Sequence, residues 1–381
     1  MVTRPLKGVN VLELSTMIAG PFAGQLLGDL GADVVKLERP GRGELARELE
    51  PTVGNESFYY LTANRNKRSL ALDITTDKGT AIFYDLIEVA DVLLVNFPPP
   101  FLERYDLTYD DLSNLNPDLI YCAISAYGAT GPYRDQPGID TTVQALSGAM
   151  SMTRDADTPP MRSGVPMNDV FGAYAAMGGI MAALYNRDMH DAGGEYIDIS
   201  LLDMGIAGLT TRATYSLVTE EPYPPFGRRH NYFAPEGVYE VTDGEVQLSV
   251  VTNRHWEWFC EALDAPELAA DDRFTTTNDR VRNRDALESA IETELQNYAV
   301  AELVELLKSV GIPAAPVNDT ISVWDDPQVQ ARSLRTEMEH PSAGTVETVR
   351  FPIRFDSINP EIDRAPPRLG EHSSAVLENI S

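Results

Sequence analysis

Five short apolar runs set the strongest limit on what this chain can become. VNVLELS (9–15), DVVKLE (33–38), LALDI (70–74), DVLLVNF (91–97) and LIYCAIS (119–125) are too apolar to leave one face wet, so a sheet built from them must be covered on both sides. The stretches between them at 21–30, 78–89 and 101–115 have helical spacing, and Pro21 sits at a first-turn position that tolerates it. Strands joined by crossover helices pair in parallel, so the pattern predicts a doubly wound, Rossmann-like α/β half. EYIDIS (195–200) continues the strand series, and 201–220 reads as a further helix leading outward.

Beyond PYPPFG (222–227), a stiff and extended linker composition, the pattern changes. Segments 238–241 and 246–250 flank Thr-Asp-Gly-Glu, whose Asp-Gly suits the positive-φ positions of a tight hairpin turn. Helical patterns follow at 255–263, 285–298 and 302–309, the last ended by Gly311. The expected organisation is a large domain over 1–222, a small α+β domain over 226–325, and a Pro-rich segment, 330–381, that returns to the large domain. A length of 381 residues suits about two domains.

The chain carries 58 acidic against 30 basic residues, a formal charge of −28, with lysine only at positions 7, 36, 67, 78 and 308. Such a surface repels nucleic acid and anionic membrane, and neither is an expected partner. Acid spread through an otherwise ordinary globular sequence predicts a halophilic protein, because molar salt shortens charge repulsion to about 3 Å. Cys122 and Cys260 form no disulfide framework and no metal pattern, which suggests a reducing compartment. The N-terminus has no apolar signal core, and the uncharged run Val170–Asn186 is shorter than the roughly 20 residues of a membrane span. The expectation is a soluble, cytoplasmic protein.

The stretch 164–203 begins with a Pro-containing loop that enters a long helix of small residues, and Asp169 stands at the entry. A carboxylate among the unpaired amides at the positive end of a helix is expected to be held ionised beside groups that can bind an oxyanion, which is a nucleophile's setting. Asn168 or Asp169 serving only as a helix cap fits the same residues. GxSxG, GxxxxGK[ST], HExxH and a GxGxxG after the first strand are all absent, so no metal and no nicotinamide is expected. Arg39 and Arg42 follow the second strand, Arg104 follows the fourth, and Arg65, Lys67 and Arg68 precede the third. Clustered guanidinium groups suit phosphates, though solvated pairs with the abundant acids fit as well.

LKGVNVLELSTMIAGPFAGQLLGDLGADVVKLERPGRGE (6–44), NRNKRSLALDI, ADVLLVNF, NPDLIYCAISAYGATGP, PGIDTTVQALSGAM, the Asp169 helix and PRLGEHSSAVL together resemble the class III coenzyme A transferases, over about 6–378. The resemblance implies an interlocked homodimer of two-domain rings. It also implies that Asp169 attacks an acyl-CoA thioester and passes through aspartyl anhydride and aspartyl-CoA intermediates, with CoA thioesters as substrates and no permanently bound cofactor. By the same motif matches, Arg39, Leu72, Asn96, Phe97 and Arg104 would hold coenzyme A, the two arginines meeting phosphates. The formyl-CoA:oxalate branch has a glutamine where this chain has Ile18-Ala19 and a run of glycines where it has FAPEG (233–237), which disfavours oxalate. The related α-methylacyl-CoA racemases would place a proton-moving histidine at Ile139, and isoleucine cannot serve. The expected activity is CoA transfer from an acyl-CoA, specifically succinyl-CoA, to a free acid, specifically mesaconate or a similar dicarboxylate. A racemase-like isomerase, another acyl-CoA:carboxylate transferase and a non-catalytic CoA-thioester binder are the alternatives. Arg228, Arg229 and His230 are candidates to grip the distal carboxylate.

Overall fold

The computed structural model describes residues 4–155, 157–225 and 227–378, arranged as two compact units. The first takes in residues up to Ala149, Arg162–Thr214 and the chain from Gln328 onward; the second takes in Met150–Met161 and Tyr215–Pro327. Among the described residues no helix is long and apolar enough to cross a membrane.

Six strands form the sheet of the first unit: β1 (Asn10–Leu14), β2 (Asp33–Glu38), β3 (Lys67–Ala71), β4 (Val92–Val95), β5 (Ile120–Ser125) and β6 (Glu195–Ser200). All pair in parallel, in the order β3-β2-β1-β4-β5-β6. The order reverses at β1, so its right and left neighbours, β4 and β2, diverge there and open a crevice at the carboxyl ends. Successive residues of β1 serve opposite faces. Val11 joins a core with Leu94, Cys122 and the helices α1 (Ala19–Asp29) and α4 (Met167–His190), whereas Leu12 joins Leu93, Tyr121 and α2 (Asp77–Glu88) on the other face. The short helix α3 (Asp140–Leu146) precedes α4.

Three local readings need correction. The third strand is Lys67–Ala71, not 70–74, because the charged residues that open it are buried in ion pairs. The helix expected over 101–115 is two short ones, Pro99–Arg104 and Tyr109–Leu112, parted by Asp106 at φ 54°. The helix expected over 201–220 breaks into α5 (Leu201–Gly208) and α6 (Thr211–Thr219), with Thr210 left-handed between them.

In the second unit, β7 (Glu236–Val241) and β8 (Gly244–Ser249) form the hairpin around Asp243-Gly244, and β9 (Ala314–Pro316) adds the third, antiparallel strand. Helices α7 (Asn253–Ala262), α8 (Arg284–Leu295) and α9 (Val300–Ser309) pack Phe259, Ile291 and Leu303 against that sheet in one apolar core. The C-terminal segment adds a second hairpin, β10 (Arg335–His340) and β11 (Gly344–Val349), which the sequence pattern did not reveal. It then runs along the first unit's sheet, where Ser69 accepts the His372 N–H at 3.0 Å and Arg364 accepts that of Asn66 at 2.9 Å.

Candidate active site

A cavity of about 610 Å³ opens at the carboxyl edge of the sheet and is lined entirely by residues of the first unit. Its walls come from the turn Thr16–Ala19 after β1, from Asn96 after β4, from Ser125 and Ala126 at the end of β5, and from the entry of α4. Local chemistry holds each wall. Asn96 clamps the first turn, accepting the Thr16 N–H at 2.9 Å and donating to the Thr16 carbonyl at 2.7 Å. Met17 is left-handed, at φ 68°, and its N–H donates to Glu44 at 2.7 Å. A side chain at Gly20 would clash with Ser15, so only glycine lets α1 begin so close to β1.

Beneath this turn lies a fully buried ion cluster. Glu13 takes Lys36 at 2.9 Å and Lys67 at 2.7 Å, and Lys36 also meets Glu44 at 3.0 Å. Burial disfavours the Lys36 charge, but Glu13, Glu44 and Glu38 more than offset it and raise its pKa. Burial prevails at Lys67, which falls to about 8. The cluster ties β1, β2 and β3 together below the turn, as buried charges must be paired if they are to stay charged.

Asp169 lies in the cavity wall at the third position of α4, half-buried. The helix is not capped by Asn168 or Asp169. Asp140, buried at the start of α3, accepts the Asn168 N–H at 2.9 Å and so supplies the cap from another element. Its other oxygen takes the Gln144 amide at 2.6 Å. No described residue donates a hydrogen bond to the Asp169 carboxylate. Burial, aided by the charge of Asp140, pushes its pKa up to about 7. The expectation that the helix end holds Asp169 firmly ionised is therefore corrected: Asp140 takes the Asn168 amide, and burial with the charge of Asp140 favours the protonated carboxyl. Tyr59, which the sequence did not single out, shares the wall; burial and the nearby carboxylates raise its pKa and keep its phenol a donor.

The residues matched to coenzyme A contacts are spread along the carboxyl edge. Arg39 and Arg104 are exposed, and neither has a carboxylate within ion-pairing distance among the described residues; Arg104 stands 5.5 Å from the Tyr105 ring centre. Asn96 is engaged with the Thr16 backbone. Phe97 stacks on Phe101 at 4.6 Å and lines a neighbouring cavity of about 550 Å³. Leu72 is half-buried, its N–H donating to Glu38.

The other basic residues are engaged elsewhere. Arg65 pairs with Asp29 at 2.7 Å, Arg68 with Asp33 at 2.6 Å, and Arg42 with Glu48. Arg65, Lys67 and Arg68 thus form no phosphate cluster, because β3 starts at Lys67 and they sit at the amino edge of the sheet, opposite the ligand-binding edge. Arg228 pairs with Glu292 at 3.2 Å and Arg229 with Glu288 at 2.6 Å, while His230 stacks on Phe233 at 4.9 Å. None of the three lines the Asp169 cavity.

A topological switch point, a cavity at its carboxyl ends and, in that cavity, a carboxylate without a hydrogen-bond partner among the described residues define a Rossmann-like ligand-binding unit. The chain belongs to CoA-transferase family III, whose model matches residues 6–373. It is an enzyme of that transferase class. It is 35% identical to human succinyl-CoA:glutarate CoA-transferase, over 99% of this chain and 86% of that protein. It is 36% identical to the succinyl-CoA:mesaconate CoA-transferase of Haloarcula hispanica, over 98% of this chain and 96% of that one. A crystal structure of a CAIB/BAIF family protein from Brucella suis superposes with a TM-score of 0.90 at 33% identity, covering 99% of both chains.

Proposed function

We propose that this transferase moves coenzyme A from succinyl-CoA to a dicarboxylic acid, with mesaconate the favoured acceptor and Asp169 the nucleophile. The observation that carries the reading is the Asp169 carboxylate itself, which lines the carboxyl-edge cavity and has no hydrogen-bond partner among the described residues. An Asp169 oxygen attacks the thioester carbonyl, the C–S bond breaks, and the CoA thiolate leaves a mixed anhydride. The thiolate attacks the aspartyl carbonyl of that anhydride, releasing succinate and leaving aspartyl-CoA. The acceptor carboxylate then displaces the thiolate to form a second anhydride, and the thiolate takes the acceptor acyl group and frees Asp169. Every step exchanges one acyl bond for another, so a carboxylate nucleophile and donors for the oxyanion suffice.

Arg39 and Arg104, with no carboxylate within ion-pairing distance among the described residues, suit the phosphates of coenzyme A, and Phe97 and Leu72 suit its adenine. The working unit in this reading is the interlocked homodimer. It is supported by large apolar side chains left in water, among them Leu217 at 83% and Val218 at 77% exposure. A charge of −28 supports a halophilic enzyme, and the two buried free thiols suit a reducing cytoplasm. The test is a panel of free acids offered with succinyl-CoA in molar KCl, with new CoA esters read by mass. Mesaconyl-CoA is the expected product, and the absence of any acyl exchange would refute the reading.

A further inference from the structure

Among the described residues, three charged ones line the Asp169 cavity: Asp140, Asp169 and Arg162. Two are acidic. A succinate-like dianion entering such a cavity meets like charge on both sides, and Arg162 is the one lining cation that can offset it. Acidic side chains outnumber basic ones nearly two to one in this chain, and most neighbouring arginines are taken by carboxylates. Yet Arg162 forms no hydrogen bond or ion pair with any described residue, Asp140 and Asp169 included. It is exposed, and its five donors meet no acceptor among the described residues.

The chain around it is held. The N–H of Ser163 donates to Gln144 Oε1 at 2.8 Å, Gln144 Nε2 donates to Asp140 Oδ2 at 2.6 Å, and Asp140 Oδ1 accepts the Asn168 N–H at 2.9 Å. Gln144, Asp140 and Asn168 are all buried. This brace ties the residue after Arg162 to the residue before Asp169, and so holds the backbone next to the cation and next to the nucleophile on one cavity wall.

We propose that Arg162 binds the second, non-reacting carboxylate of a dicarboxylic acid and of its CoA thioester, so that the cavity selects dicarboxylates over monocarboxylates. The proposal rests on the transferase reading above for which end of the acid reacts. A guanidinium grips a carboxylate through two parallel hydrogen bonds, and an acid lacking that group gains neither of them.

The experiment compares wild type with Arg162→Ala and Arg162→Lys, using succinate and butyrate as acceptors, with succinyl-CoA and butyryl-CoA as donors. Arg162→Ala should raise the KM for succinate about 10- to 100-fold with a smaller change in kcat, leave butyrate within about twofold, and so collapse the preference for the diacid. Arg162→Lys should restore part of it, since a point charge replaces the fork. A second arm needs no turnover: succinyl-CoA and butyryl-CoA are titrated into Asp169→Asn protein with and without Arg162→Ala, and only succinyl-CoA should weaken. If wild type moves CoA to no acid, the transferase reading fails while this arm still reports on Arg162. An unchanged succinate preference overturns the proposal. So does an equal loss with butyrate, which would assign Arg162 to the reacting carboxylate, or a weakened affinity for free coenzyme A, which would assign it to a phosphate.

Discussion

Two sets of three cations, one at each edge of the parallel sheet, differ in what they meet. At the amino edge Arg65, Lys67 and Arg68 are bound to Asp29, Glu13 and Asp33, within 2.6–2.7 Å, and Arg65 and Lys67 are buried. At the carboxyl edge Arg39, Arg104 and Arg162 are exposed and form no ion pair with a carboxylate among the described residues. In a chain so rich in acid, an arginine without a partner is held away from the many that surround it. Position along the strand separates these two groups of three: those at the amino edge are structural pairs, and those at the carboxyl edge, where the strand order reverses, are the ones the proposed function gives to a ligand.

The sharpest way to break this comparison is at the nucleophile. Asp169→Asn keeps the volume and leaves the cap intact, because Asp140 provides it, yet cannot form an anhydride; steady-state turnover should fall about 1000-fold or more. Activity within tenfold of wild type would remove Asp169 from the chemistry. Next in size is the amino edge. Arg65→Ala leaves Asp29 buried and unpaired, so stability should drop by about 3–5 kcal/mol in denaturant melts. The KM values of the folded remainder should stay near wild type. Arg104→Ala should do the reverse, with an unshifted melt and a CoA-donor KM raised about 10-fold, since an exposed guanidinium on a phosphate contributes binding and not fold. If Arg104→Ala melts early or Arg65→Ala raises KM, the division between edges is wrong.

These edges were only partly legible in the sequence. The strands at 91–97 and 119–125 could be read because their interiors are buried on both faces and hence apolar. The third strand was misplaced by three residues because Lys67 looks like a surface residue, and nothing local announces that Glu13, fifty-four positions earlier, will neutralise it. The same long-range pairing turned Arg65 and Arg68 into false candidates. Asp169 was visible because a carboxylate at the mouth of a small-residue helix is a local pattern. Its raised pKa was not, because burial and then the charge of Asp140 come to it through the fold, and no local pattern shows that the Asn168 amide goes to Asp140. Arg162 was overlooked, although a scarce cation in an extended segment seven residues before the nucleophile is a signal that could have been followed.

A smaller effect is expected from pH. Burial and Asp140 raise the Asp169 pKa to about 7, so the folded protein holds its proton over a range where the unfolded chain has released it. The attacking form is the ionised one, so kcat/KM should climb about tenfold per pH unit below 7 and level off above it. Ionising Asp169 also costs stability, growing as pH rises from about 4 and complete above about 7. Asp169→Asn should therefore melt later than wild type at pH 8, with the gap narrowing on acidification. A rate plateau extending down to pH 5 would show that Asp169 titrates as an ordinary carboxyl.

The smallest expected effect sharpens the comparison most finely, because it concerns arginines that do have partners and yet resemble carboxylate binders in sequence. Arg228 is exposed and paired with Glu292, itself exposed, at 3.2 Å, and surface pairs of this kind contribute only about 0–1 kcal/mol. Arg228→Ala should thus shift the melting midpoint by no more than a degree or two and leave the KM for a dicarboxylate within about twofold. The contrast with Arg162→Ala is what matters: the same substitution, in the same acidic chain, should alter diacid selection only where the guanidinium lines the Asp169 cavity without a carboxylate partner. A tenfold rise in the dicarboxylate KM for Arg228→Ala would mean that a paired arginine of the second unit exchanges Glu292 for substrate, and an unpaired state would no longer mark the cations kept for a ligand.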